Sequence, residues 1–331
     1  MGDVAMTIPV LRALTEHYPE IKITVLTRDF FKPFFKDLRH VTVYAADVKG
    51  EHKGLLGLYK LSKELKGLQF DAVADLHNVL RSKFLNLFFS GKKVAQLDKG
   101  RSEKKALTTG RQFQQLKTTH QRYAAVFEAL GYGIDLGHPT FPKPSQLSEK
   151  LKVYISNKGF KTIAIAPFAA YQSKMYPLTQ MEDVISTLSK EYNIILFGGG
   201  HKEIEILNQF ETIYKNVASV AGKLTLEDEL DLISNADLML SMDSGNAHIA
   251  AMLGIKVITI WGVTHPFAGF APFNQPSDYA LLADRETFPL LPTSVYGNKY
   301  PEGYENVAGS IKSKEIVSKV KSVIQSEAKT L

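Results

Sequence analysis

The stretch DLMLSMDSGNAHIAAMLGIKVITIWG, residues 237–262, decides the fold. DLMLSM (237–242) and KVITIWG (256–262) are apolar, β-branched runs of strand length. AHIAAMLG (247–254) between them has helical composition and stops at Gly254. Strands that read as continuous apolar runs are covered on both faces, which is the habit of parallel sheets. A helix joining two such strands makes a right-handed crossover. Working outward, the same alternation continues. FKTIAIA (160–166) and NIILFGG (193–199) read as strands. PLTQMEDVISTLSKEY (177–192), HKEIEILNQFETIY (201–214) and TLEDELDLISNA (225–236) read as helices. Leu226, Leu230 and Ile233 mark one side of the last of these. This pattern predicts a doubly wound α/β domain.

The first half repeats the rhythm. IPVLRALTEHY (8–18) is helical, with Pro9 tolerable in a first turn. IKITVLT (21–27), VTVYA (41–45) and DAVADL (71–76) are strands, and SKFLNLFF (82–89) is helical. Leu58, Leu61, Leu65 and Leu68 share one helix face. Residues 99–122 are basic and poor in apolar side chains, which predicts an exposed loop with some helix. Residues 135–150 hold three prolines and read as a linker. The chain therefore divides into residues 1–145, residues 146–308 and a C-terminal helix within 309–331. That helix carries an apolar stripe from Ile316 to Ile324.

Composition narrows the function. A chain of 331 residues suits about two domains. No apolar run approaches the ~20 residues of a membrane span. The absence of cysteine excludes disulfides, thiolate catalysis and cysteine-bound metals. The N-terminus lacks the basic and apolar segments of a signal peptide, so a cytoplasmic protein is expected. Charge is uneven: residues 1–145 carry a net +9 and the remainder −3. Either the first half meets something anionic or it has a solvated, lysine-rich surface.

Ligands of doubly wound sheets bind beyond the carboxyl ends of the strands. Asp243-Ser244-Gly245-Asn246-Ala247-His248 follows one strand and opens a helix. Such a turn presents backbone N–H groups and a helix dipole to an anion. Equally, Asp243 or Ser244 can simply cap the helix while His248 packs in the core. Lys174 lies in the loop after IAIA, placed for a diphosphate or as a surface cation. Gly198-Gly199-Gly200 ends another strand. It does not form the dinucleotide fingerprint, and Glu203 behind it suits either a ribose or base, or the helix dipole. Gly262-Val263-Thr264-His265-Pro266 is a further small-residue turn at the same end. In the first half, Asp3 can cap the first helix or act as a general base, and Arg81 can grip a phosphate or carboxylate in two-point fashion. No cluster has metal-ligand spacing.

Taken together, GDVAMTIP (2–9), FDAVADLHNVLRS (70–82), the segment from Pro167 through Lys174 to Pro177, GGGHKE (198–203) and above all residues 241–266 resemble glycosyltransferase family 9. The resemblance spans nearly the whole chain. It implies a GT-B-like fold of two Rossmann-like domains facing a cleft, and an inverting, metal-independent transfer with no cofactor. The substrates implied are an ADP-heptose-like donor and a phosphorylated lipid A–core acceptor (Kdo/heptose inner core) of lipopolysaccharide. They imply a Gram-negative source and a transient contact with the cytoplasmic membrane surface. By matching positions, Asp3 would be the base, Arg81 would meet the acceptor, Lys174 would bind donor phosphate and Glu203 the adenosine. Asp243, Ser244, Gly245 and His248 would hold sugar and diphosphate. The C-terminal helix would cross back onto the first domain.

Three departures stand out. Ala169 and Ala170 occupy positions where family members often carry hydroxyls. The turn reads DSGN, a mild change. Only Met1 precedes the Gly2-Asp3 turn, where the family has a buried strand. Either the true start lies upstream, or the first sheet lacks a central strand, with a gap or mobile segment there and weak activity. Two other readings compete: a GT-B sugar-nucleotide epimerase, and a nucleotide-sugar binder without turnover. Nucleic-acid binding fits poorly, because residues 99–122 interleave only Phe113 among their cations.

Overall fold

The fold is given by a computed structural model that describes residues 1–155 and 159–327. It forms two compact units. Met1, residues 3–100 and residues 117–140 make the first; Gly2, residues 101–116 and the chain from 141 onward make the second.

In the first unit, α1 (Gly2–Ala5, with Gly2 in the second unit) and α2 (Thr7–His17) lead into β1 (Ile23–Thr27) and β2 (Val41–Ala45). Then follow α3 (Gly54–Lys66), β3 (Ala72–Asp75), α4 (Leu80–Leu87) and β4 (Lys93–Gln96). β1 pairs with β2 and β3 with β4, both in parallel. Among the described residues no ladder joins β1 to β3, so the strands form two separate two-stranded sheets. Their burial reflects this: β1 alternates half-buried and exposed residues along its length. A helix core still closes over both pairs, where Leu58, Leu61 and Leu65 of α3 meet Leu85 of α4 and Phe89, with Tyr44 of β2 and Val73 of β3 packed against them.

The second unit begins with α5 (Arg101–Thr108). The chain returns to the first unit for α6 (Thr119–Leu130), which packs on α2, β3 and β4. The rest belongs to the second unit: α7 (Glu149–Lys152), β5 (Thr162–Ala166), α8 (Leu178–Leu188), β6 (Asn193–Leu196), α9 (His201–Ile213) and β7 (Val217–Ser219). Then come α10 (Leu226–Ile233), β8 (Leu238–Met242), α11 (Gly245–Met252), β9 (Val257–Trp261), β10 (Ala280–Leu282) and α12 (Ser313–Glu327). All six strands run parallel in the order β10-β9-β8-β5-β6-β7.

Every residue of β5, β6, β8 and β9 is buried, as their unbroken apolar sequences require. β5 is the central strand and hydrogen-bonds to β6 on one side and β8 on the other.

The apolar stripe of α12 is used within the second unit. Ile316, Val320, Val323 and Ile324 are buried in the second core, and the helix packs on α8 and β8. Burying four such side chains stabilises this placement by roughly 1.5–3 kcal/mol each, so the docking is dictated by the stripe itself. The basic stretch 99–122 is largely exposed with some helix, as expected, but it is anchored. Leu107 of α5 and Leu116 pack with Ala268 against Phe267 and Phe270. Lys104 lies with its Nζ 4.1 Å from the centre of the Phe270 ring, and Leu116 N–H donates to Phe267 O at 3.0 Å. Few apolar residues suffice for α5, because its partners come from a loop some 160 positions away in the chain.

Candidate functional site

The carboxyl ends of β5, β8 and β9 are neighbours in one parallel sheet, so the loops that follow them emerge side by side. The loop after β5 winds into a short 3-10 turn over Gln172–Lys174. The one after β8 enters α11 directly, with Ser244 at the N-cap position. Gly262 opens the loop after β9.

Lys174 and Asp243 meet here. Lys174 Nζ lies 2.8 Å from Asp243 Oδ2, and both side chains are largely buried, at 14% and 8% exposure. The Thr264 hydroxyl donates to the same carboxylate oxygen at 2.8 Å. A buried ion pair is costly to desolvate and persists only when hydrogen bonds complete it, which Thr264 does. The turn also holds the Ser241 and Ser244 hydroxyls 3.0 Å apart. Because Ser244 thus faces Ser241 and makes no side-chain cap, it does not occupy the first N–H groups of α11.

His248 stands in the first turn of α11 and is buried. Burial, and then the nearby Lys174 charge, push its pKa down to about 3. It is therefore a neutral imidazole at pH 7. Its Nδ1 is buried with no hydrogen-bond partner, an arrangement native proteins rarely leave without a purpose. The geometry offers an anion a cation, uncapped helix amides and a neutral imidazole, with an acidic acceptor beside them.

Two glycines hold the lysine loop. A Cβ on Gly262 would sit 2.1 Å from the Ser173 carbonyl oxygen, which accepts from Val263 N–H at 3.1 Å. Gly297, at φ +86°, passes so close that a Cβ would lie 2.5 Å from Lys174 Cγ and Cδ. Ser173 Oγ donates to Gly297 O at 2.5 Å. Gly262→Ala must move backbone rather than a side-chain tip. It is expected to destabilise the chain by about 1–3 kcal/mol, seen as a lowered melting temperature in thermal denaturation. A melting temperature equal to that of the parent would refute this close approach.

Glu203 sits on the first turn of α9, and its Oε2 accepts from Gly199 N–H at 2.9 Å and Gly200 N–H at 3.4 Å. It therefore caps its own helix. Of the two alanines, Ala169 packs against the core and Ala170 is exposed. The remaining predicted site residues lie in the first unit. Asp3 is exposed in α1, and its backbone carbonyl accepts from the buried Tyr123 hydroxyl at 3.4 Å. Burial, then the Asp3 charge, push the Tyr123 pKa upward. Arg81 is exposed on the first turn of α4. The structure thus groups Lys174, Asp243, Ser244, Gly245 and His248 at one point of the second unit.

Sequence reasoning missed Thr264 as the partner of Asp243, although it noted the turn that contains it. It also missed a cluster built on Arg285, whose guanidinium carbon lies 3.7 Å from the centre of the Phe113 ring. Phe113 in turn meets His265 and Phe267 edge-on or tilted, at 5.1 and 5.0 Å. Burial, then Arg285, lower the His265 pKa to about 4. The signals were the lone arginine of the second half and the lone aromatic of the basic stretch.

Comparison with known proteins places these features in a lineage. The sequence model of glycosyltransferase family 9 (heptosyltransferase) matches residues 58–289. The lipopolysaccharide core heptosyltransferase OpsX of Haemophilus influenzae is 26% identical over 281 residues, covering 83% of this chain and 80% of OpsX. Among solved structures, a family 9 glycosyltransferase from Veillonella parvula superposes with a TM-score of 0.75 at 17% identity, over 98% of this chain and 94% of that one. The E. coli heptosyltransferase WaaC with ADP superposes with a TM-score of 0.65 at 18% identity, over 97% and 96%. Both superpositions support a GT-B-like α/β architecture.

Proposed function

The chain belongs to glycosyltransferase family 9, and from that premise we propose that it moves a heptose-like sugar from ADP to the inner core of a lipopolysaccharide acceptor. The observation that carries this reading is the Lys174–Asp243 pair beside the uncapped N-terminus of α11 and the neutral His248. A departing nucleoside diphosphate needs positive charge that is already in position, and a lysine with helix amides supplies it. The ADP named in the WaaC structure fits that charge.

In the proposed step the acceptor hydroxyl oxygen bonds to the anomeric carbon as the bond from that carbon to the diphosphate oxygen breaks. The proton passes from the hydroxyl to the Asp3 carboxylate, and the electron pair of the broken bond leaves with ADP. Attack opposite the leaving group inverts the anomeric centre. Lys174 Nζ has donors to spare after Asp243, so one can reach phosphate. Ser244, the Gly245 N–H and His248 hold sugar and diphosphate, and Asp243 accepts from a sugar hydroxyl. The second oxygen of Glu203 is left for the adenosine. Arg81 receives the acceptor's anionic groups. Among the described residues no helix is long and apolar enough to cross a membrane. The basic first half suits a peripheral approach to an acceptor that sits in lipid.

The direct test mixes ADP-heptose with a Kdo-bearing lipid A and follows ADP release. Donor binding without release would favour a binder, and a changed sugar from donor alone would favour an epimerase. A cheaper measurement is protection against thermal unfolding. At ~100 times its dissociation constant a ligand adds about 2.7 kcal/mol, so ADP should raise the melting temperature clearly more than UDP or GDP. Equal protection by the three would sink the adenine assignment.

A further inference from the structure

We infer that α3 and α4 form a surface that docks onto an anionic lipid membrane. Leu80, Phe84 and Leu87 recur at helical spacing along α4, yet this stripe faces solvent, with Leu80 71% and Leu87 73% exposed. On α3, which packs beside α4, Leu55 and Leu56 are 63% and 86% exposed and Tyr59 is 47% exposed. The two outer faces are joined by the Tyr59–Phe88 ring contact, with centroids 5.6 Å apart. The opposite faces of both helices are used normally: Leu58, Leu61, Leu65 and Leu85 are buried together. These are therefore helices with a core face and a second, unpartnered apolar face. A lone exposed leucine means little, but a contiguous set on two packed helices marks an interaction site.

The charge around the patch selects the occupant. Residues 53–93 hold eight lysines and arginines against three acids. Lys60, Lys63, Arg81 and Lys83 are all exposed on these two helices. Lys63 lies with its Nζ 4.6 Å from the centre of the Tyr59 ring, so cation and apolar surface are presented together. Apolar side chains that dip into the acyl boundary, ringed by cations that meet acidic headgroups, describe an interfacial membrane contact. The docking surface rests on the reading above in one respect: an acceptor carried in lipid gives the contact its use.

The test is flotation of the full chain with vesicles of phosphatidylcholine, with and without phosphatidylglycerol. Binding should require phosphatidylglycerol and weaken with salt. The double variant Leu56→Gln/Leu87→Gln should lose about tenfold or more in vesicle partitioning, because apolar insertion and charge act together. Leu56→Ile/Leu87→Ile should bind like the parent. Thermal protection by ADP, read in parallel, should be unchanged in both variants, showing that they fold. Parent protein that does not float, or a Gln variant that floats as well, overturns the proposal. So does a concentration-dependent dimer that the Gln variant abolishes. Loss of ADP protection in the parent with flotation intact would instead sink the donor assignment and leave this surface standing.

Discussion

Lys174→Met is expected to lower kcat/KM for the ADP-sugar by about 100- to 1000-fold, the usual effect of removing one charge-stabilising donor at a developing anion. The same change leaves Asp243 buried with only Thr264 for company. Breaking a buried pair on one side costs on the order of 3–5 kcal/mol, so the single variant should also melt earlier. The two effects separate in the double variant Lys174→Met/Asp243→Asn. Removing both charges relieves the uncompensated carboxylate, so stability should largely return while ADP release stays low. Steady-state ADP release and thermal denaturation on the three proteins check this. A double variant that regains activity together with stability would show that Lys174 merely props up the fold.

Asp3→Asn is expected to cut kcat by about 100- to 10,000-fold, the range for loss of a positioned general base. Its carboxylate is exposed, so melting temperature should not change. ADP protection should not change either, since the donor groups lie on other elements. ADP release with saturating acceptor reads the first effect, and thermal shift with ADP reads the second. A variant that keeps more than about a third of the parent kcat would remove Asp3 from the proton-transfer step.

The second unit was legible because its strands are uninterrupted apolar runs, each ending in small residues. Runs such as TIAIA and VITIW have no exposed face to confuse the pattern, and Gly262 marks where the second stops. The first unit was harder. KVAQ, which forms β4, has two polar ends and only one buried residue, so its period is invisible. β7 is three residues long and carries no pattern at all. α6 straddles the end of a stretch read for charge, although Tyr123, Val126 and Phe127 beyond that stretch carry a helical spacing. The site followed the same division. Strand-end positions pointed to Lys174 and Asp243, because topology alone brings those loops together. Thr264 escaped, since its role depends on a hydroxyl direction that no periodicity encodes. α5 escaped because the surface that holds it is supplied by Phe267 and Phe270.

The divided sheet of the first unit has an energetic result of its own. In the second unit β5 couples its neighbours, so loosening one strand weakens the rest and the sheet opens as a whole. With no ladder between β1 and β3 among the described residues, the β1–β2 ribbon and the β3–β4 ribbon are tied through side chains and helices. Each ladder can then fray without unzipping the other, while damage passes between them through the core that Tyr44 of β2 and Val73 of β3 share. The half of the molecule that carries Asp3 and Arg81 is thus mechanically two leaves, while the half that carries Lys174 and Asp243 is one plate.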